Sequence, residues 1–221
     1  MTKPFFAIIG LPRSGTSLVA GILHNSGIKV TKSRIRYDKY NSKGYYEYLP
    51  MVNINVLLSK SKTFNNFILA MKNNNIKTIV DEYNHCVDQL IIKDNLNGMK
   101  DPRFCFVELL NGFINTMKFR HPTRNVKIIL THRNIISIAN SVLHVDPTVS
   151  MEKNELISIL ETFYSNAFDN MRHMGYEYMM VSYERLISDY NESLLNELAD
   201  FCEIKPNDIA KDFIDRSLKR F

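Results

Sequence analysis

The sequence predicts an α/β protein of the phosphate-loop (P-loop) type, a three-layer α/β/α arrangement around a central parallel sheet of about five strands. Three observations carry this prediction. Short apolar runs, among them Phe5–Ile9, Leu96–Lys100, Val126–Thr131 and Tyr178–Ser182, alternate with longer stretches of helical periodicity. The first run enters a glycine-bounded loop, Gly10-Leu11-Pro12-Arg13-Ser14-Gly15-Thr16-Ser17, followed by helical spacing at Leu18, Val19, Ile22 and Leu23. Finally, the charged motifs fall at the C-terminal ends of predicted strands, where parallel sheets bind their ligands.

Taken in order, Phe5–Ile9 reads as a buried strand. The loop after it has the spacing G-x-x-x-x-G. Successive N–H groups of such a loop and of the helix behind it converge on one anion, and glycines permit the tight turn and close approach. A nucleotide-hydrolysing loop carries lysine after its second glycine. Here Thr16 and Ser17 follow, and the positive charge sits inside the loop at Arg13. The first helix runs from Thr16 to about Ser26 and stops at Gly27, a residue suited to a left-handed cap. Ile28-Lys29-Val30 reads as a short strand.

Residues 32–48 are basic and tyrosine-rich, with a length and composition that suggest a loop or lid. Helical patterns then cover 49–60, 64–72 and 76–92, the last with Ile76, Ile79, Val80, Tyr83, Val87, Leu90 and Ile91 on one face. Leu96–Lys100 is a strand that feeds Asp101-Pro102-Arg103. A helix over 106–117 precedes the clearest strand, Val126–Thr131, which ends in His132-Arg133-Asn134 and enters a helix over 135–145. The longest helix spans 152–174, Tyr178–Ser182 is the last strand, and short helices follow to Phe221. The whole chain, 1–221, reads as one domain, with 32–95 as a lid and acceptor-pocket insertion.

Composition excludes several classes. A hydrophobic fraction of 45% and a charged fraction of 23% are those of a soluble globular chain. The net charge of +5 suits an anionic ligand, yet the basic residues are spread along the chain without a nucleic-acid-binding motif. No apolar run is long enough to span a membrane, and Met1-Thr2-Lys3-Pro4 leaves no room for a signal peptide before the first strand. Cys86, Cys105 and Cys202 are scattered and lack metal-ligand spacing. They read as reduced thiols of a cytoplasmic protein, and no metal site is expected.

Four strand-end motifs stand together: Gly10–Ser17, Lys100–Arg103, His132–Ser141, and Val181-Ser182-Tyr183-Glu184-Arg185-Leu186. As an ordered set they resemble the sulfotransferase family, bacterial type, with similarity to the tyrosylprotein branch. The resemblance implies a donor, 3′-phosphoadenosine-5′-phosphosulfate, with adenosine 3′,5′-bisphosphate as product. It implies that Pro12, Arg13, Ser14, Gly15, Thr16 and Ser17 grip the 5′-phosphosulfate, that Arg133 and Ser141 grip the 3′-phosphate, and that Tyr183 lies near the adenine. Lys100 would join Arg13 in stabilising charge. Sulfuryl transfer spreads negative charge on the moving group and on the departing phosphate oxygen, so fixed donors aimed there lower the barrier. A sulfuryl group carries less charge than a phosphoryl group, so magnesium is not required by the chemistry.

The acceptor, a hydroxyl or amine, must lose a proton to a base. Glu47 is the first candidate, because bacterial relatives carry a similar Gly-Tyr-aromatic-Glu segment, here Gly44-Tyr45-Tyr46-Glu47; Asp101 is the second. Cytosolic relatives use a histidine after the lysine motif, which this chain lacks, and the glycine-rich C-terminal segment of those relatives has no counterpart beyond Arg216-Ser217-Leu218-Lys219-Arg220. His24, His132 and His144 are read as structural. A saccharide, lipid, peptide or small molecule remains open as acceptor. Two other classes stay in view: a nucleotide or nucleoside kinase, which would want the loop lysine, and a bisphosphate-binding module without turnover.

Overall fold

The computed structural model describes residues 3–31, 41–60, 64–73, 80–146, 149–189 and 191–214. Most of the 32–48 segment, the Asn74–Ile79 stretch and the basic residues Arg216–Arg220 lie outside them. Among the described residues four strands form one parallel sheet: β1 (Phe5–Ile9), β2 (Gly98–Lys100), β3 (Val126–His132) and β4 (Glu177–Ser182), in the order β2-β1-β3-β4. β1 lies between two neighbours and under helices on both faces, which is why all five of its residues are buried and apolar.

Alternation of side chains divides the core in two. Phe5, Ala7, Ile9, Ile128 and Leu130 point to one face. There they meet α2 (Leu49–Ser59), α3 (Phe64–Asn73), α4 (Val80–Asp88), α5 (Val107–Arg120), α6 (Ile135–Val145) and α7 (Lys153–His173). Phe6, Ile8, Ile129 and Val181 point to the other, against α1 (Thr16–Asn25) and α9 (Glu192–Phe201). A single turn, α8 (Tyr183–Leu186), follows β4.

Two expectations are corrected. The sheet has four strands among the described residues, because 28–30 does not pair as a strand. The Lys29 carbonyl accepts from the N–H groups of Asn97 (2.9 Å) and Gly98 (3.2 Å), but no ladder propagates from that one residue. Ile28 and Val30 are buried by packing, which gave the segment its apolar look. The helix expected to run to Ile92 ends as α-helix at Asp88 and widens into a π turn, Gln89–Lys93, closed by Asp94 N–H to the Gln89 carbonyl at 2.9 Å. Gly27 does terminate α1, with φ of 95°. Among the described residues no helix is long and apolar enough to cross a membrane.

Candidate active site

The register places the motifs at one edge of the sheet. Ile8 pairs with Lys100, Ile9 with Leu130, and His132 with Ser182, so the chain leaves β1, β2, β3 and β4 on the same side. From β1 it enters the loop 10–15. Gly10 has φ of 148°, and a Cβ there would sit 2.3 Å from Thr131 Oγ1. Only glycine lets the loop cross so close to β3. Ser14, fully buried, shares a 2.7 Å hydrogen bond with Thr131 Oγ1, and Thr131 Oγ1 also donates to the Ile9 carbonyl (3.3 Å). These contacts hold the loop down on the sheet.

Helix α1 begins at Thr16, with Gly15 at the N-cap in a left-handed conformation, φ 98°. The cap has no side chain to take an N–H, and no acidic residue lies in the first turn. Among the described residues no side chain caps the orphan donors of this helix start, where the positive end of the dipole lies. Thr16 is buried and Ser17 half-buried in that first turn, and Pro12 is buried in the loop.

Arg13 departs from the left-hand rule for side chains: its φ is 70°. That conformation aims its guanidinium across to α6, where Nε donates to Ser141 Oγ at 3.0 Å. Arg133, at the end of β3, donates from Nη1 to the Arg13 carbonyl (3.3 Å). The Arg133 guanidinium carbon also lies 4.6 Å from the centroid of the Tyr183 ring, a cation–π distance. The other side of the pattern closes on the loop, because a Cβ at Gly15 would come within 2.6 Å of Tyr183 Cδ2. Burial pushes the Tyr183 hydroxyl above its ordinary range, against the pull of Arg133 and Arg13. Arg13, Gly15, Arg133, Ser141 and Tyr183 thus form one contact group, with two guanidinium groups around an uncapped helix start.

Lys100 and Glu47 form a second group. Lys100 Nζ donates to Glu47 Oε1 at 2.8 Å, with the lysine side chain 2% exposed and the glutamate 22%. The Tyr45 ring centroid is 5.8 Å from the ammonium. The segment carrying Glu47 is pinned by Thr31 Oγ1, which donates to the Glu47 carbonyl (3.0 Å), and by Tyr46, which packs edge-on against Phe213 at 5.8 Å. Asp101 points to the opposite face of the sheet from Lys100. It is fully buried, and both its oxygens accept hydrogen bonds: Oδ2 from Asn55 Nδ2 (2.9 Å), Oδ1 from the Arg103 N–H (2.9 Å) and Nη1 (3.1 Å). Burial pushes its carboxyl upward and the Arg103 charge pulls it down.

Three residues that hold this site were given no role of their own from sequence. Thr131 anchors the loop, Asn134 caps α6 by accepting from Ser137 N–H (3.1 Å), and Glu184 Oε1 accepts from Asn134 N–H (2.9 Å). The Asn134 cap had a local signal, a polar residue before an apolar periodic run. Thr131 and Glu184 act across 117 and 50 positions respectively, and no local pattern marks such contacts.

Comparison with known proteins gives the geometry its context. No curated protein matches the sequence. The fold is similar to that of sulfotransferase STF1 from Mycobacterium tuberculosis H37Rv, with a TM-score of 0.54 and 13% identity over 93% of this chain and 68% of that one. The model of the sulfotransferase domain matches residues 3–221. Matched over that span, the chain belongs to the sulfotransferase domain family.

Proposed function

We propose that the protein moves a sulfuryl group from 3′-phosphoadenosine-5′-phosphosulfate to a hydroxyl or amine acceptor. The observation that carries this reading is the contact group of Arg13, Gly15, Arg133, Ser141 and Tyr183 beside the Lys100–Glu47 pair. The loop fits an anionic nucleotide: glycines at 10 and 15 that let it pack against Thr131 and Tyr183, an uncapped helix start, and two guanidinium groups. Pro12, Arg13, Ser14, Gly15, Thr16 and Ser17 would hold the 5′ end, with Arg133 and Ser141 on the 3′-phosphate and Tyr183 against the base. Arginine suits the phosphate because its planar fork can donate two parallel hydrogen bonds.

In the reaction the acceptor oxygen or nitrogen bonds to sulfur as the bond from sulfur to the 5′-phosphate oxygen breaks. The electron pair leaves on that oxygen. Arg13 and Lys100 meet the developing charge, and Glu47 takes the acceptor proton. Asp101 is the poorer base, because its oxygens are occupied by Asn55 and Arg103. Residues 32–95 would supply the acceptor pocket within a single domain, and the acceptor would be a saccharide, lipid, peptide or small molecule. The protein would act in the cytoplasm, without a metal.

Calorimetric titration of adenosine 3′,5′-bisphosphate, against ADP and ATP with and without magnesium, tests the reading. Magnesium-independent preference for the bisphosphate, weakened by Arg133→Ala, supports it. Preference for ATP with magnesium would overturn it in favour of a kinase. Retained binding with no turnover in an acceptor screen would favour a binding module.

A further inference from the structure

Asn55 is a fully buried amide in the middle of α2, in a helix that carries no charged residue and packs into the core. Both ends of its side chain are engaged. Nδ2 donates to Asp101 Oδ2 (2.9 Å), and Oδ1 accepts from the hydroxyl of Tyr83 on α4 (2.6 Å). Tyr83 and Asp101 are themselves fully buried. Burying three polar side chains in one place is favourable only when their hydrogen bonds are made, and a partly satisfied network is worse than an apolar one. This network therefore holds one arrangement.

Its position matters more than its strength. Asp101 follows Lys100 directly in extended backbone, φ −148° and ψ 121°, so the two side chains leave the end of β2 on opposite faces. Asp101 is held by α2 and α4, while Lys100 reaches Glu47 on the other side. Arg103 closes the strand end from the 3-10 turn Pro102–Cys105 by donating N–H and Nη1 to Asp101. The backbone at 100–101 is thus gripped from the helical insertion that precedes it in sequence. We propose that Asn55 is a positioning residue, which, with Tyr83, ties the α2–α4 insertion to the end of β2 and sets the direction of Lys100 toward Glu47. The proposal rests on the reading in which Lys100 and Glu47 act in sulfuryl transfer.

The test uses the full chain and two variants, Asn55→Leu, which keeps the volume and removes both hydrogen bonds, and Tyr83→Phe, which removes one hydroxyl. The readout that needs no donor is acylation of lysines by an activated acetate ester, followed peptide by peptide. Lys72, half exposed, serves as the reference, and Lys127, 13% exposed and on β3, reports general loosening. The expected result is a rise of about fivefold in Lys100 labelling relative to Lys72, with Lys127 unchanged, and a smaller rise in Tyr83→Phe. In parallel, conversion of the donor to bisphosphate and sulfate in water is expected to fall about tenfold or more with bisphosphate affinity unchanged, since small misplacements of a charged group cost turnover more than binding. Lys100 labelling that stays at the unaltered level in both variants, or that rises together with Lys127, overturns the proposal. Should Asn55→Leu not fold, Tyr83→Phe decides by the same criterion. If the unaltered protein binds no bisphosphate, the functional reading fails, and the labelling comparison still decides the role of Asn55.

Discussion

The Lys100–Glu47 pair predicts an asymmetry in stability that can be worked from its burial. The ammonium end is 2% exposed and the carboxylate end 22%, at 2.8 Å. Glu47→Ala strands a charge that has almost no access to water. Breaking a buried pair from one side costs about 3–5 kcal/mol, and the opening at the glutamate end places the loss near the lower figure, about 3 kcal/mol. Lys100→Met leaves the charge that can hydrate and puts an unbranched apolar chain where the lysine stem lay. Its cost is about 1 kcal/mol or less, because exchanging a buried charge for an apolar group of similar volume is often nearly neutral. The double variant should therefore be more stable than Glu47→Ala alone, by about 2 kcal/mol. Urea denaturation of the four proteins, with midpoints compared at equal slope, measures all three differences. A Glu47→Ala protein no less stable than Lys100→Met, or a double variant below Glu47→Ala, would refute the argument that burial of the ammonium governs this pair.

Two further predictions follow from named contacts. Gly27→Ala should lose about 1–2 kcal/mol, because it sits in left-handed backbone at φ 95°, and Gly15→Ala, at φ 98°, should lose more, because its Cβ also meets the Tyr183 ring at 2.6 Å. Only Gly15→Ala should lose bisphosphate affinity, about tenfold or more, since its Cβ would displace Tyr183 while nothing lies within 4 Å of a Cβ at Gly27; equal affinities in calorimetry would remove Tyr183 from the site. Burial holds the His24 imidazole below its ordinary 6.5, and its buried Nδ1 has no hydrogen-bond partner among the described residues. The unfolded chain then binds the proton first, so the stabilisation is complete above 6.5 and is lost as pH falls from 6.5 through the lower folded value. Thermal unfolding between pH 7.5 and 5 should show a shallower fall in His24→Phe than in the unaltered protein; parallel curves would mean that His24 does not titrate with folding.

Much of the fold was legible in the sequence, because its signals are local. Apolar runs and the 3.6-residue periodicity between them marked the four strands and most helices; β1, buried on both faces, can carry little but apolar residues, and β4, at the sheet edge, keeps a weaker apolar run. The loop 10–17 was legible because a tight strand-to-helix turn needs glycines at fixed places, here Gly10 and Gly15. Failure came where a local signal had two physical sources. Ile28 and Val30 are apolar for packing and not for pairing, and the apolar face of 80–92 does not report the change from α to π hydrogen bonding at Gln89.

The chain by itself determined the order of its elements and the residue types at each strand end, Arg13, Lys100, Arg133 and Tyr183 among them, because strand propensity, capping and glycine geometry act over a few positions. Only the tertiary structure decided how those residues meet. The Arg13–Ser141 hydrogen bond, the stacking of Arg133 on Tyr183 and the Lys100–Glu47 pair join elements distant in sequence. So does the Asn55–Asp101 contact that leaves Asp101 occupied. Such contacts depend on strand order and register, and those follow from the burial of two faces of one sheet at once, a property of the whole chain and of no segment in it.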